Sequence, residues 1–204
     1  MMQNMSRMPS RRAADFKPDR GLTLERNLTL IALFAALIAV LGLIPKITLG
    51  FGVPITAQTL GVMLCGTILG SKRGALATLL FLLLVAIGLP LLAGGRGGLG
   101  VFASPTVGFL VGFPIGAFVT GLIVEKLRFG SLGVTAAVAS AVGGVLVVYV
   151  FGVIGMSVML DKTLVEATLL ITAFIPGDMI KAIVAGFVTV ALFKARPNSV
   201  LSRA

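Results

Sequence analysis

Six apolar stretches, separated by charges, prolines and glycines, set the main constraint on how this chain of 204 residues can fold. Hydrophobic residues make up 57% of the sequence and charged residues 12%, whereas a soluble domain carries about 25% charged residues. A helix of about 18 residues is about 27 Å long, which is close to the thickness of the hydrocarbon core of a bilayer. The sequence therefore predicts an all-α membrane protein with six transmembrane helices.

The breaks between apolar stretches fix where these helices are expected. The second and third helices are short, so tilt or local thinning of the bilayer has to accommodate them. Residues 155–175 carry Asp161, Lys162 and Glu166 and predict a short outer-side helix between the fifth and sixth spans, with a seventh span as the alternative. The predicted spans are Asn27–Ile44, Thr56–Gly70, Gly74–Leu89, Ser104–Val124, Leu132–Ile154 and Pro176–Phe193.

Of the 17 Lys and Arg residues, 13 lie on one side of this predicted topology. Because cytoplasmic loops carry an excess of cations, both termini are expected in the cytoplasm. Residues 1–26 are interpreted as a basic cytoplasmic tail, 27–194 as the membrane domain and 195–204 as a C-terminal cytoplasmic tail. The proposed inner side holds Arg7, Arg11, Arg12, Lys17, Arg20, Arg26, Lys72, Arg73, Lys126, Arg128, Lys194, Arg196 and Arg203, and the outer side holds Lys46, Arg96, Lys162 and Lys181.

Several function classes have no support in the composition. The net charge of +10 follows membrane topology and lacks interleaved aromatic residues, so no nucleic-acid partner is expected. The chain has no His and one Cys, which leaves no material for a metal site or a Cys/His nucleophile. Gly95 to Gly100 match a dinucleotide-binding pattern, but no βαβ unit surrounds them. We expect neither an enzyme nor a bound cofactor.

Asp178 and Lys181 are the residues that most directly suggest a binding site. Both lie in the apolar stretch Phe174–Phe193 of a chain with only seven acidic residues. A charge at membrane depth is costly and usually functional, and residues three apart share one face of a helix. Pro176 is suited to open that helix. The pair would offer an acceptor and a donor at adjacent points to a polar ligand.

Three further residues are candidates for lining the same pocket. Arg96 lies in a glycine-rich loop that would let it turn inward, where a guanidinium can clamp a carboxylate with two hydrogen bonds; a solvated Arg is the alternative. Gln58, near the start of the second helix, either faces the ligand or bonds a neighbouring helix. Tyr149, the single tyrosine, either stacks on a ligand ring or anchors the chain at the membrane interface.

Small residues form one face of the first helix. Ala32, Ala36 and Ala39 lie three or four residues apart, and such faces let helices approach closely. Packing within the bundle and docking to another membrane subunit are both consistent with this pattern.

Four ordered motifs stand out along the chain. They are Val53–Gly61, Gly88–Pro90 with the glycine-rich loop, Pro105–Pro114, and Pro176–Asp178 with Lys181. Together they resemble the biotin-specific substrate-binding subunits of energy-coupling factor transporters, the BioY family. The similarity covers roughly residues 27–193. One departure is Ser104–Gly108, where the family often has Gly-Pro-Thr-Gly-Gly.

The resemblance implies a six-helix subunit of the bacterial cytoplasmic membrane that binds biotin at its outer side. Its partners would be a transmembrane coupling subunit and two ATP-hydrolysing subunits, besides membrane lipids. The alanine face of the first helix would meet the coupling subunit. Whether the subunit acts alone, as a homo-oligomer or only with the coupling subunit stays open at this point.

The ligand hypothesis combines the resemblance with the chemistry of the residues. Asp178 would accept a ureido N–H of biotin, Lys181 would donate to the ureido oxygen, and Arg96 would hold the valerate carboxylate. The alternatives are a subunit for another vitamin, a proton-driven small-molecule transporter with Asp178 as the carrier site, and a structural membrane subunit without a ligand.

Overall fold

The computed structural model describes residues 24–127 and 130–203. Most of the predicted N-terminal tail therefore lies outside the described residues, and so do Arg7, Arg11, Arg12, Lys17, Arg20 and Arg128. Among the described residues the regular structure is helical, and extended pairing is limited to two isolated bridges, Ile47–Ile55 and Leu92–Arg96. The main helices are α1 (Leu24–Leu41), α2 (Gln58–Leu69), α3 (Ser71–Ala86), α4 (Val107–Lys126), α5 (Leu132–Met159), α6 (Leu164–Ile171) and α7 (Ile175–Ala195).

The all-α prediction is confirmed, and each predicted apolar stretch forms a helix. Four helical stretches are long and apolar enough to cross a membrane, namely Leu24–Leu41, Val107–Lys126, Leu132–Met159 and Leu164–Ala195. The last of these joins α6 to α7 through a single 3₁₀ turn, Thr172–Phe174. A short helix between the fifth and last main helices was predicted, and α6 occupies that place. Helices α2 and α3 are shorter than a full span.

Several helix boundaries differ from the prediction because polar groups elsewhere in the fold satisfy the helix ends. Helix α3 begins at Ser71 rather than Gly74, since the Glu125 carboxylate accepts bonds from the Ser71 backbone N–H at 2.7 Å and from its hydroxyl at 2.8 Å. This carboxylate of α4 caps α3 in the way that a local cap residue normally would. Helix α2 begins at Gln58, whose N–H donates to the Thr56 hydroxyl at 3.3 Å.

The other shifts extend or shorten helices by a few residues. Helix α1 runs from Leu24 to Leu41, so the charged residues Glu25 and Arg26 belong to its first turn. Helix α3 ends at Ala86, two residues before Gly88, whose φ of +109° leaves the helical region. Helix α5 continues past Ile154 to Met159, and helices α4 and α7 occupy Val107–Lys126 and Ile175–Ala195.

Two helices contain a π-helical turn that the sequence did not indicate. Residues Cys65–Leu69 end α2 in this form, and Ser140–Val147 lie in the middle of α5. Both turns pack against α4 through glycines. A methyl group on Gly66 would lie 2.6 Å from the Ala117 carbonyl oxygen, and one on Gly143 would lie 2.5 Å from the Gly116 carbonyl oxygen. The backbones are therefore in direct contact, which glycine alone permits.

The helices run back and forth, so that the bundle has two distinct ends. One end, here called the cavity end, holds loop 42–57, loop 87–106 and the start of α7. The other end, the basic end, holds the start of α1 and the residues after α7: the Arg26 guanidinium donates to the Asn198 carbonyl oxygen at 3.4 Å. Described cations near this end are Arg26, Lys72, Arg73, Lys126, Lys194, Arg196 and Arg203.

The last described residues pack onto the basic end instead of extending away from it. Val200, Leu201 and Ser202 are buried. The Ser202 hydroxyl donates a short hydrogen bond to the carbonyl oxygen of Thr67 in the π-helical turn of α2. In the same place the Thr189 hydroxyl of α7 donates to the Thr67 hydroxyl at 2.9 Å. Hydroxyl groups thus join α2, α7 and the C-terminal segment.

Candidate functional site

A cavity opens at the cavity end, between loop 42–57, loop 87–106 and helices α2, α4 and α7. It encloses about 510 Å³ of empty space, which includes open solvent at its mouth. Its wall is mainly apolar, with a few polar groups that converge on one space. The lining residues are Val53, Pro54, Thr56, Gln58, Thr59, Leu92, Arg96, Thr106, Phe109, Leu110, Phe113, Phe174, Asp178 and Lys181.

Asp178 and Lys181 lie together in this wall, on the first two turns of α7. Pro176 occupies the start of the helix, where its missing N–H costs nothing. The Lys181 Nζ lies 2.7 Å from Asp178 Oδ1, and the two side chains are only 16% and 4% exposed. This is the one ion pair within the described residues. It is oriented toward the cavity, as the sequence hypothesis requires.

Asp178 accepts hydrogen bonds on both carboxylate oxygens. The Thr59 hydroxyl of α2 donates to Oδ1 at 3.0 Å, and the Tyr149 hydroxyl of α5 donates to Oδ2 at 2.7 Å. A carboxylate oxygen has two lone-pair positions. With Lys181 also on Oδ1, that oxygen is fully used, and Oδ2 retains one acceptor position.

The ammonium group of Lys181 donates all three of its N–H hydrogens to groups of the protein. It donates to the Thr56 carbonyl oxygen at 2.5 Å, to the Thr59 hydroxyl at 3.0 Å and to Asp178 at 2.7 Å. An ammonium group has three N–H donors. A ligand oxygen that binds Lys181 must therefore replace one of these three acceptors.

Arg96 reaches the cavity from a tight turn in loop 87–106. Leu92 and Arg96 exchange backbone hydrogen bonds of 3.0 and 3.2 Å, and Gly94 and Gly95 close the turn with φ of +82° and +71°. Non-glycine residues rarely adopt such angles. The predicted role of these glycines, to turn Arg96 inward, matches this geometry.

The guanidinium of Arg96 differs from the other cavity cation in lacking partners. Its Nε is buried and has no hydrogen-bond partner within residues 24–127 and 130–203. Partial burial lowers the pKa of Arg96, because desolvation disfavours the charged form. A buried donor without a partner is energetically unfavourable. An anionic ligand group would remove that cost.

Gln58 lies in the wall, but its amide is occupied by backbone groups. Its side-chain nitrogen donates to the carbonyl oxygens of Ile38 and Leu91 at 3.2 and 3.1 Å. Its side-chain oxygen accepts from the Ala93 N–H at 3.0 Å. The residue is 2% exposed. The geometry favours the second of the two sequence interpretations, since Gln58 ties α1 and loop 87–106 to α2.

Aromatic side chains form the apolar part of the wall. Phe109 of α4 lies between Phe174 and Tyr149, with ring centroids 5.8 and 6.4 Å away, and Phe51 of loop 42–57 contacts Phe174 at 6.0 Å. Tyr149 is absent from the cavity lining and acts on the site through Asp178. Its predicted stacking on a ligand ring has no geometric support in the ligand-free protein.

The alanines of α1 lie away from the cavity. Ala32 and Ala36 are exposed, whereas Ala39 is half-buried against the core. The buried side of the helix is formed by Phe34, Ala35 and Ile38. Two of the three predicted docking alanines are thus on an open face.

Thr56 and Thr59 were missed as polar ligands of the charged pair. Both occur in the motif that carried the resemblance, but a threonine near a helix start is also an ordinary helix cap. Thr56 precedes α2 and contacts Lys181 through its backbone carbonyl oxygen, so only the Thr59 side chain could have been sought from the sequence. For metal binding, the described part of the chain has no group of three or more His, Cys, Asp or Glu residues.

Comparisons with known proteins agree on one family. The BioY family model matches residues 9–198. A biotin transporter BioY of Rhodobacter capsulatus is 51% identical over 189 residues, covering 88% of this chain and 100% of the relative. A biotin transporter BioY of Rhizobium etli is 52% identical over 178 residues, covering 84% and 95%. A probable biotin transporter BioY of Bacillus subtilis is 43% identical, covering 81% and 89%.

A solved structure has the same fold. The crystal structure of the S-component for biotin from an ECF-type ABC transporter superposes with a TM-score of 0.80 at 33% sequence identity. The match covers 85% of this chain and 95% of that one.

Proposed function

This chain belongs to the BioY family, and we propose that it is the substrate-specific S-component that binds biotin for uptake by an energy-coupling factor transporter. It is a transport protein and not an enzyme. The observation that carries this function is a single cavity that holds a buried Asp–Lys pair and a buried, unpaired Arg Nε. Biotin has complementary groups at its two ends.

The ureido ring of biotin is assigned to the Asp178–Lys181 end of the cavity. The open acceptor position on Asp178 Oδ2 takes one ureido N–H. The ureido oxygen takes a hydrogen bond from Lys181, replacing one of its present acceptors. Phe109 and Phe174 cover the apolar rings, and their burial in the wall supports this.

The valerate carboxylate is assigned to Arg96. Its unpaired Nε is the strongest support, because a carboxylate accepts two parallel bonds from a guanidinium. Gln58 holds the wall in shape and Tyr149 orients Asp178, so both act on biotin through other groups.

The proposed topology has six crossings with both termini in the cytoplasm of a bacterium. By length and hydropathy alone, helices α2 and α3 do not qualify as membrane spans. Most residues of α2 are nevertheless buried inside the bundle. The cation-rich basic end is assigned to the cytoplasm by the positive-inside rule. The cavity then faces the outside, where the vitamin is captured.

The proposed partners are a transmembrane coupling subunit and two ATP-hydrolysing subunits. The chain contains no P-loop motif, so another subunit has to supply the energy. The exposed Ala32–Ala36 face of α1 is the proposed docking surface, since small residues allow close helix contact. Lipid covers the remaining apolar faces, and any homo-oligomer would also have to use one of them.

Titration of the purified protein with biotin tests the function. We expect saturation at sub-micromolar biotin, and a loss of affinity of about 10-fold or more in Asp178→Ala and in Lys181→Ala, because hydrogen bonds to charged groups contribute about 1.5–3 kcal/mol. Lys162→Ala is the matched control, since Lys162 is exposed and lies outside the cavity. Absence of biotin binding by the intact wild-type protein would refute the assignment.

Competition and uptake experiments separate the alternatives. Displacement of biotin by a different vitamin at lower concentration would favour a subunit for that vitamin. Uptake into vesicles that lack the other subunits, abolished by an uncoupler, would favour a proton-driven transporter.

A further inference from the structure

We propose that Thr59 is a positioning residue that fixes which oxygen of Asp178 receives the ligand. The inference rests on the proposed function and adds a residue that the sequence motifs did not single out. Thr59 lies in the first turn of α2, and its hydroxyl stands between the two charged groups of α7.

The direction of the Thr59 hydroxyl is determined by its neighbours. Lys181 can only donate hydrogen bonds, so its 3.0 Å contact makes the Thr59 oxygen an acceptor. The single hydroxyl hydrogen then points to Asp178 Oδ1, also 3.0 Å away. The three groups form a closed triangle, completed by the 2.7 Å ion pair.

This triangle makes the two carboxylate oxygens unequal. Oδ1 accepts from both Thr59 and Lys181, which uses its two lone-pair positions, whereas Oδ2 accepts from Tyr149 alone. A ligand N–H therefore meets Oδ2. Without the Thr59 hydroxyl, Oδ1 regains an open position, so both oxygens can accept a ligand N–H and the preference for Oδ2 is lost.

A purely structural role is the competing explanation, because the same bonds also join α2 to α7. The chain provides a matched control for it. The Thr67 hydroxyl accepts from the Thr189 hydroxyl at 2.9 Å and joins the same two helices at the basic end, outside the cavity lining. Thr67→Val removes a helix-to-helix hydroxyl bond without touching the charged pair.

The experiment measures biotin affinity and thermal stability for the wild type, Thr59→Val, Thr59→Ser and Thr67→Val. We expect Thr59→Val to bind biotin about 5- to 20-fold more weakly. This is less than the loss expected for a charged group that bonds the ligand directly, because Thr59 acts through Asp178. Thr59→Ser keeps the hydroxyl and should bind within about 3-fold of the wild type. Thr67→Val should lose stability and keep its affinity.

A second ligand shows whether Thr59 acts on the ureido N–H. Biotin analogues methylated on one or the other ureido nitrogen are titrated into the wild type and Thr59→Val. For the analogue that lacks the N–H bound by Asp178, the penalty of the substitution should largely disappear. Equal penalties for biotin and for both analogues would overturn the proposal in favour of helix packing.

The other outcomes are also decisive. Unchanged biotin affinity in Thr59→Val, or an affinity loss in Thr59→Ser as large as that in Thr59→Val, would overturn the proposal. If Thr59→Val does not fold, the biotin affinities of Thr59→Ala and Thr59→Ser provide the same comparison between a residue without and a residue with the hydroxyl group. Failure of the wild type to bind biotin would refute the proposed function and is distinguishable, since every Thr59 result is a ratio to the wild type.

Discussion

Replacing Arg96 with methionine should remove the recognition of the ligand carboxylate while leaving the fold intact. The Nε of Arg96 is buried and has no partner within the described residues, so folding alone already imposes the cost of removing it from water. Most of the hydrogen-bond energy gained on binding should then contribute to affinity. For a charge-assisted pair we take about 2–3 kcal/mol, which corresponds to a loss of about 30- to 150-fold.

The assay compares biotin with biotin amide, which has the same rings and chain but no charge. The amide should bind the wild type more weakly by a similar factor, and Arg96→Met should change its affinity little. Lys46→Met is the control that shows how much affinity is lost when any loop cation is removed. Lys46 belongs to loop 42–57, is half-buried and does not line the cavity. Its removal should therefore change biotin affinity by less than about 5-fold, well below the loss in Arg96→Met.

Two results would refute this reasoning. One is wild-type affinity for biotin in Arg96→Met. The other is an equal loss for biotin and for the amide, which would indicate that Arg96 shapes loop 87–106 instead of holding the carboxylate.

Three further substitutions test the packing, and unfolding is followed for each by the reaction of the single, buried cysteine Cys65 with a thiol dye. Asp178→Asn leaves the Lys181 charge without a counter-ion, and it should weaken biotin binding and lower the unfolding temperature of the ligand-free protein; an unchanged temperature would contradict the buried-pair description. Gly108→Ala places a methyl group on the Phe151 carbonyl oxygen and should destabilise the α4–α5 contact by about 1–3 kcal/mol, a cost that wild-type stability would exclude. Ser202→Ala should lower stability by about 1–3 kcal/mol, because it leaves the buried Thr67 carbonyl oxygen without its hydroxyl partner; Ser199→Ala, on a half-buried residue nearby, is its control.

The helical stretches were predictable because each depends on local composition. An apolar run in a bilayer has to satisfy its own backbone groups, and a helix does so. The ends of the helices were less predictable, since their partners are distant in sequence. Ser71 starts α3 through a carboxylate 54 residues away, at Glu125, and no pattern near Ser71 indicates that bond.

The candidate site also contains residues that were predictable from the sequence and residues that were not. Asp178 and Lys181 are charged residues in an apolar run. The energetic cost of a charge at membrane depth identified them as candidate functional residues, and their spacing predicted a shared helix face. Thr59 and Tyr149 carry no charge, and their importance arises from contact with Asp178 across three helices. The role of Gln58 depended on whether backbone carbonyl groups lay within reach, which the fold decides.

The packing of Ser202 against Thr67 has a consequence for how the protein is made. The two residues are 135 positions apart, and segment 197–203 leaves the ribosome after helices α1–α7. The hydroxyl that satisfies the end of α2 therefore arrives only after all seven helices have been synthesised, and until then the Thr67 carbonyl oxygen lacks its hydroxyl partner. Docking of segment 197–203 is thus a step in biogenesis that follows synthesis of these helices.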